Sequence, residues 1–202
     1  MKEISISGQK RTDLGKKASK SLRKEGMIPC NIYGEAKGEN GAPVAMAFAA
    51  SFSELRKLIY TPNIYVVNLN IDGENKKAVL REIQFHPTTD APLHVDFLEV
   101  NEQKPIVMGV PVKLVGLAQG VRDGGRMNLS IRKINVVAPY TQIPEQLDID
   151  VTELKLGKAI KVGDLNFEGL EMATRKEVVV CSIKATRASA QAAAAAAAEN
   201  AE

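Results

Sequence analysis

The sequence predicts a mostly β protein with a few helices, an α+β fold built as two domains. Short segments in which apolar and polar residues alternate recur along the 202 residues, as half-buried strands require. Helical patterns occur before residue 61. Near residue 101 the pattern changes to short strand-like segments separated by turn residues. We therefore expect a first domain at residues 1–100 and a second, all-β domain at residues 101–184.

The composition is that of a globular protein with a real core, since 45% of the residues are hydrophobic and 25% are charged. No apolar segment approaches the roughly 20 residues that a membrane-spanning helix needs. The N-terminus lacks the apolar block of a signal peptide. Cys30 and Cys181 lie in apolar segments, and we expect both to be buried, reduced thiols. These features predict a cytoplasmic protein without a membrane partner.

The first elements are a strand at residues 2–10 and a basic helix that ends near Gly26. At 100° per residue, five cations of this helix fall within one arc of about 120°; they are Lys16, Lys17, Lys20, Arg23 and Lys24. Residues 8–26 carry seven basic and two acidic side chains, a net charge of +5, whereas the whole chain carries +3. Such local basicity favours a polyanionic partner for one surface.

The rest of the first domain alternates strands with one helix. Residues 27–34 and 43–50 have strand patterns, and Ser51 with Glu54 has the spacing of a capping box at the start of a helix over 51–60. Residues 63–85 predict two strands around an Asp72-Gly73 hairpin. Residues 93–100 predict the last strand of the domain.

The second half contains strand-like segments at 101–116, 131–139, 146–151, 159–165 and 177–183. The segment GVRDGGRM, residues 120–127, is glycine-rich, but a phosphate-binding loop needs a helix after it, and none is indicated. We expect a β-turn there, with an RNA contact by Arg122 and Arg126 as a hypothesis. Residues 185–202 are alanine-rich and predict a frayed or disordered tail.

Both histidines lie in FHPTTDAPLHVDF, residues 85–97, which allows two interpretations. His86, His94 and Asp96 could form a 2-His-1-carboxylate metal site, although their spacing is no recognisable metal signature. Alternatively, His94 and Asp96 share one face of a strand at period two, while His86 belongs to a connecting loop. A surface of this kind, together with Gln84, could bind base edges and ribose.

Several motifs resemble, in order and separation, the family of the bacterial large-subunit ribosomal protein number twenty-five in its long form. In the first domain these are Arg11 with Gly15-Lys16, Ala18-Ser19, Leu22-Arg23, Pro29, Ile32-Tyr33-Gly34, Gln84, His86-Pro87 and His94-Val95-Asp96-Phe97. In the second half they are GVRDGG, IPEQLDIDVTEL and IKVGDL. The resemblance covers about residues 1–184.

The resemblance implies a six-stranded β-barrel, similar to the anticodon-binding domain of glutaminyl-tRNA synthetase, that binds the loop E region of 5S ribosomal RNA. It implies a place in the large ribosomal subunit beside neighbouring ribosomal proteins. It implies no enzyme activity, cofactor, metal or small-molecule substrate. One departure is Lys20-Ser21, where many members of the family have two arginines; lysine holds a phosphate but makes no planar fork.

The predicted RNA-binding residues divide by chemistry. Lys16, Lys20 and Arg23 are predicted to contact phosphates. Arg11 is predicted to place its guanidinium on a phosphate or a guanine edge, and Ser19 to add a hydrogen bond. Tyr33 offers a ring for stacking and a hydroxyl, with Gly34 allowing the RNA backbone to approach. Gln84, His94 and Asp96 are the predicted readers of base edges and ribose.

Two competing functions stay open at this point. One is a stress-related RNA-binding protein that acts off the ribosome. The other is a small metal-dependent hydrolase or oxygenase that uses His86, His94 and Asp96.

Overall fold

The alternation at the N-terminus becomes the first strand of a barrel. The computed structural model describes residues 1–34 and 44–186. Strand β1 (Lys2–Lys10) buries Ile6 and exposes Ser5 and Ser7, as the period of two requires. The strand is therefore set by its sequence pattern, with one face towards a core.

The first unit is a closed barrel with two helices on its outside. After β1 come α1 (Lys16–Lys24), β2 (Met27–Tyr33), β3 (Met46–Ser51), α2 (Phe52–Ile59), β4 (Tyr65–Ile71), β5 (Glu74–Phe85) and β6 (Pro92–Glu99). The strands close in the order β1-β3-β2-β6-β5-β4. β1 runs parallel to β4 and β2 parallel to β6, while the other neighbours are antiparallel. This confirms the predicted six-stranded barrel.

Two phenylalanines, from the two strands that flank β2, occupy the barrel interior. Phe48 of β3 and Phe97 of β6 are both fully buried, with ring centroids 5.8 Å apart and tilted by 37°. A tilted pair at this distance suits the aromatic quadrupoles. Burial of each ring contributes about 1.5–3 kcal/mol to the stability of the barrel. The barrel is thus a filled core that holds its outer face rigid.

The hairpin between β4 and β5 has the turn that its sequence predicts. Asp72 and Gly73 adopt φ values of 49° and 93°, both positive as a type I′ turn requires. The turn is also tied to β1, since Lys10 N donates to Asp72 Oδ2 at 3.0 Å.

The predicted capping box at the start of α2 is wrong. Ser51 occupies the N-cap position but makes no side-chain cap hydrogen bond; its hydroxyl lies 2.8 Å from Ser53 Oγ instead. Glu54 Oε2 accepts a hydrogen bond from Ser7 N at 2.8 Å. The carboxylate therefore joins α2 to β1.

The second unit is built from short strands in two sheets. Its elements are β7 (Ile106–Val115), α3 (Gln119–Arg122), β8 (Arg126–Leu129), β9 (Lys133–Ala138), β10 (Leu147–Asp150), β11 (Ala159–Lys161), a 3-10 helix (Val162–Asp164), β12 (Glu171–Met172) and β13 (Val179–Lys184). One sheet has the order β10-β7-β9-β12 and the other β11-β13-β8. The predicted β-sheets of a second domain are confirmed, and α3 and the 3-10 helix are additions to the all-β prediction.

The glycine-rich segment contains the predicted turn, at Asp123-Gly124, where Gly124 N donates to Val121 O at 3.1 Å. The turn is preceded by the one-turn helix α3, which the sequence did not predict and in which Val121 N and Arg122 N both donate to Ala118 O. The strand β8 then follows, and no helix, as expected. The chain reverses through Gly124, whose φ is 85°.

The chain divides into two compact units by its internal contacts. The first comprises Met1–Ile106 and Pro139–Glu145, and the second comprises Val107–Ala138 and the chain from Gln146 onward. The division at residues 100 and 101 stays a prediction. Residues 187–202 of the predicted alanine-rich tail, 185–202, lie outside the described residues. Among the helices of the described residues, none is long and apolar enough to cross a bilayer.

Candidate nucleic-acid interface

Helix α1 presents a cationic face to solvent. Ala18, Ser19 and Leu22 are half-buried on its inner side, whereas the basic residues of the predicted arc are all exposed. The first turn contains no acidic residue. Within residues 1–34 and 44–186, neither Lys16 nor Lys20 makes an ion pair. Both lysines are therefore available to an external anion.

Arg11 is fixed against the start of α1. Its Nη2 donates to Ser19 Oγ and to Asp13 O, each at 3.1 Å. Its Nε is buried and has no hydrogen-bond partner among the described residues. A buried donor without an acceptor is energetically costly. Ser19 accepts from Arg11, which leaves its own hydroxyl proton free to donate.

Arg23 has a partner that the sequence did not indicate. Its Nε and Nη2 donate to Leu93 O at 3.0 and 2.9 Å, joining the last turn of α1 to strand β6. The two residues are 70 positions apart in the chain. The Arg23 side chain is nevertheless exposed, so it positions α1 as well as offering charge.

His94 and Asp96 lie side by side on the outer face of β6. His94 Nδ1 and Asp96 Oδ1 are 3.2 Å apart, and each side chain is 21% exposed. The arrangement is nevertheless not a hydrogen bond, since Nδ1 is buried without a hydrogen-bond partner in the described part of the chain. The pair is close enough for the carboxylate to attract a protonated imidazole. The predicted sharing of one strand face is confirmed.

The outer face of the barrel continues onto the strands beside β6. Gln84 of β5 pairs in register with His94, and Asn31 of β2 pairs with Asp96. Gln84 is exposed, while Asn31 is half-buried. Amide, imidazole and carboxylate groups therefore form one polar strip across three neighbouring strands.

Tyr33 lies at the end of β2, two residues from Asn31, and pairs with Leu98. It is half-buried, so part of its ring is accessible. Gly34, where the sequence predicts an approach of the RNA backbone, also packs closely within the barrel. Its φ is 143°, and a Cβ there would lie 3.0 Å from Glu99 O. Close packing against β6 therefore explains this glycine without an approaching ligand.

The predicted residues converge on an open cleft of about 390 Å³ between α1 and the barrel. Its walls are Arg11, Leu14, Gly15, Lys16, Ser19, Arg23, Pro29, Asn31 and His94. Five of the nine predicted RNA-binding residues are among them. Lys20 lies on the exposed side of α1 beyond the cleft, and Tyr33, Gln84 and Asp96 lie on the polar strip. The cleft wall carries three guanidinium or ammonium groups and no carboxylate.

The metal-site interpretation receives no support from the geometry. His86 lies in the loop between β5 and β6, where its Nδ1 is 3.1 Å from Thr88 Oγ1. In the described ranges, no three His, Cys, Asp or Glu side chains are grouped closely enough to hold a metal. Cys30, behind the cleft, is fully buried and free, and burial raises the pKa of its thiol to about 12. A neutral thiol of this kind is a core residue.

Comparison with known proteins assigns the family. The Ribosomal L25p family matches residues 6–97, and the C-terminal domain of ribosomal protein TL5 matches residues 105–187. The chain is 58% identical over 194 residues to the large ribosomal subunit protein bL25 of Phocaeicola vulgatus, covering 96% of this chain and 98% of that protein. The chain belongs to the bL25 family.

Other bL25 proteins are also similar over nearly their full length. The bL25 of Bacteroides thetaiotaomicron is 50% identical over 201 residues, covering 97% of this chain and 99% of the relative. That of Porphyromonas gingivalis is 50% identical over 189 residues, covering 93% and 95%. Membership of this ribosomal family, which is not enzymatic, confirms the long-form resemblance, the predicted absence of enzyme activity and the location on the cytoplasmic ribosome.

Sequence reasoning missed Pro29 and Asn31 as lining residues of the cleft. In the strand Met27–Tyr33, Ile28, Cys30 and Ile32 are buried in the barrel core, and Pro29 on the opposite face is buried as well. The period of two therefore places Pro29, Asn31 and Tyr33 on the outer face. That signal was available in the sequence. The sequence did not show that β2 and β6 are neighbouring strands. Because they are neighbours, the outward amide of Asn31 lies beside Asp96 and becomes part of the interface.

Proposed function

We propose that the barrel unit of this bL25 protein binds 5S ribosomal RNA at its loop E region, as a structural component of the large ribosomal subunit. The cleft beside α1 is the observation that carries the proposal, since it gathers Arg11, Lys16, Ser19, Arg23 and His94 in one place. Family membership supports it, because the curated relatives are named as proteins of the large ribosomal subunit.

The cleft and α1 would hold the phosphate backbone. Lys16 and Lys20 supply exposed charge, and each phosphate contact would release condensed counterions. Arg11 holds its guanidinium against the Ser19 hydroxyl, because its Nη2 donates to Ser19 Oγ at 3.1 Å. One phosphate could contact the guanidinium and the hydroxyl together, so we expect the RNA backbone to lie at the N-terminal side of α1.

The polar strip would read the RNA minor groove. Double-helical RNA hides its major-groove base edges and displays ribose hydroxyls in a wide, shallow minor groove. Gln84 and Asn31 can donate and accept, and Asp96 can accept from a guanine amino group or a 2′-hydroxyl. The half-buried ring of Tyr33 adds a partly accessible aromatic surface at one end of the strip.

A titration of the full chain tests this function. Its affinity would be measured against a 5S rRNA loop E fragment and against a plain RNA duplex of equal length, at several salt concentrations. Lys20→Ala and His94→Ala would be compared with Lys57→Ala, an exposed lysine on α2 outside the proposed interface. The native chain should bind loop E more tightly than duplex.

The variants distinguish contacts with phosphate charge from contacts that recognise the loop E structure. Lys20→Ala should reduce the log–log salt slope by about 0.7–0.9, one contact's worth, for both RNAs. His94→Ala should leave that slope nearly unchanged and lower the preference for loop E. Lys57→Ala should behave as the native chain. Equal, weak binding of the native chain to both RNAs would reject the proposal.

A further inference from the structure

The glycine-rich segment of the second unit is a tightly packed corner. A Cβ on Gly120 would lie 2.5 Å from Leu156 N, and one on Gly125 would lie 2.5 Å from Gly120 O. No side chain fits at either position, so backbone packing explains both glycines. It does not explain the two exposed arginines of the same segment, Arg122 and Arg126.

Strands β8 and β13 place two positive charges directly opposite each other. Arg126 pairs in register with Lys184, and both residues are exposed. Paired residues on antiparallel strands project from the same face of a sheet. The adjacent pair, Met127 and Ile183, points the other way, and Ile183 is only 1% exposed. Arg126 and Lys184 therefore stand together on the outer face.

Further cations lie around this pair. Ile183 N donates to Lys158 O at 3.0 Å, and Lys158 N donates to Lys155 O, so both lysines lie beside the end of β13. Thr186 Oγ1 donates to Gly124 O at 2.8 Å, so the turn that follows α3 also lies close to the end of β13. The β8–β13 basic surface, as we name it, consists of five exposed residues: Arg122, Arg126, Lys155, Lys158 and Lys184.

Among the described residues, no carboxylate forms an ion pair with the cations of this surface. None of its five cations makes an ion pair among residues 1–34 and 44–186. The short segments 122–126 and 155–158, with Lys184, contain a single acidic residue, Asp123, and so carry a net charge of +4. Like charges opposite each other destabilise a sheet, and a surface selected only for solubility mixes both signs.

We propose that the β8–β13 basic surface binds the phosphate backbone of ribosomal RNA, as a contact separate from the barrel cleft. A phosphate backbone neutralises the opposed pair and gains counterion release for each contact. Arg122 and Arg126 can form planar forks on phosphate oxygens, and the three lysines supply point charges. This surface lies on the second unit, whereas the proposed 5S rRNA interface lies on the barrel unit.

The substitution Lys184→Glu separates binding from stability. It replaces a repulsive cross-strand pair with an attractive one to Arg126, so the sheet should become at least as stable while the surface loses two units of positive charge. Lys133→Glu, on an exposed position of β9 in the other sheet, is the matched control. Arg126→Glu creates the same ion pair from the other strand and serves if Lys184→Glu fails to fold.

The full chain would be titrated against large subunits that lack this protein and against protein-free large-subunit rRNA from which 5S rRNA has been removed. Lys184→Glu should weaken binding to both by about fivefold or more and reduce the salt slope by about one contact, 0.7–0.9. Its melting temperature should be unchanged or higher. Lys133→Glu should match the native chain in every measurement, and Lys184→Glu should bind the loop E fragment normally.

Unchanged affinity of Lys184→Glu for both probes would overturn the proposal. A loss on subunits without a loss on protein-free rRNA would assign the surface to an acidic protein and overturn the RNA assignment. A lower melting temperature for both Lys184→Glu and Arg126→Glu would show that the pair serves the fold. Because loop E binding is measured separately, failure here leaves the 5S proposal intact, and the reverse also holds.

Discussion

At the scale of single residues, the interface is built from side chains that also hold the fold. Arg23 donates two hydrogen bonds to the carbonyl of Leu93, which directly precedes His94 in β6. Arg11 likewise donates hydrogen bonds to the Ser19 hydroxyl and to the carbonyl of Asp13. Such fixed guanidinium groups lose little conformational freedom when RNA binds, so they recognise a phosphate at low entropic cost.

Replacing Arg23 with lysine keeps the charge and removes the fork on Leu93 O. We expect Arg23→Lys to lower the free energy of unfolding by about 1 kcal/mol, the usual contribution of such hydrogen bonds. Its preference for loop E over duplex should fall because α1 and β6 are no longer joined. Urea unfolding and the two-RNA titration measure the two effects. Lys24→Arg is the control, and native behaviour of Arg23→Lys in both assays would contradict this account.

At the scale of elements, tertiary contacts override local capping rules. The Ser51–Glu54 spacing fits a capping box, yet Glu54 accepts the N–H of Ser7 in β1. A carboxylate near a helix N-terminus still interacts favourably with the helix dipole, so α2 keeps that benefit. The Glu54 side chain thus stabilises the first turn of α2 and fixes the helix to the barrel.

Because Glu54 is bonded to β1 and Ser51 makes no cap hydrogen bond, we expect the Glu54 substitution to lower the stability more than the Ser51 substitution. Glu54→Ala should destabilise the barrel by about 1–2 kcal/mol, since it removes a charge-assisted hydrogen bond between elements. Ser51→Ala should have a smaller effect than the roughly 1 kcal/mol of a normal N-cap, because Ser51 makes no cap hydrogen bond. Thermal unfolding of both variants decides the point. A larger loss for Ser51→Ala would show that the capping box does form in solution.

At the scale of the whole molecule, a modest net charge of +3 conceals two concentrated basic surfaces. One is the face of α1 in the barrel unit, and the other is the β8–β13 basic surface in the second unit. Acidic residues elsewhere offset them, so the chain is not generally adhesive. A protein of this kind is expected to bind a polyanion at defined places and to remain soluble when free.

Two surfaces on separate units should contribute independently to binding. The chain carrying both Lys20→Ala and Lys184→Glu should lose, on binding to large subunits that lack this protein, the sum of the two single losses in free energy. We expect agreement within about 0.5 kcal/mol, because sites that share no partner are usually additive. Equilibrium binding of the four chains at one salt concentration measures this. A marked departure from the sum would indicate that both surfaces contact one shared group.

The sequence by itself determined the local structure and the chemistry available to the protein. Period-two alternation placed β1 and β2 and set which side chains point outward, and Asp72-Gly73 set a hairpin. Helical periodicity set the basic face of α1. The order of short motifs identified the family. Each of these features depends on residues close together in the chain, where spacing alone decides geometry.

Only the tertiary structure decided which of these features meet. Alternation states that Asn31 and Asp96 point outward, but the barrel order makes them neighbours. No local pattern indicates that Arg23 reaches Leu93, or that Arg126 stands opposite Lys184. Strand order and register follow from closing the whole barrel and from packing its core, which involve contacts between distant residues. The cleft is a consequence of that closure, and the β8–β13 basic surface is a consequence of strand pairing in the second unit.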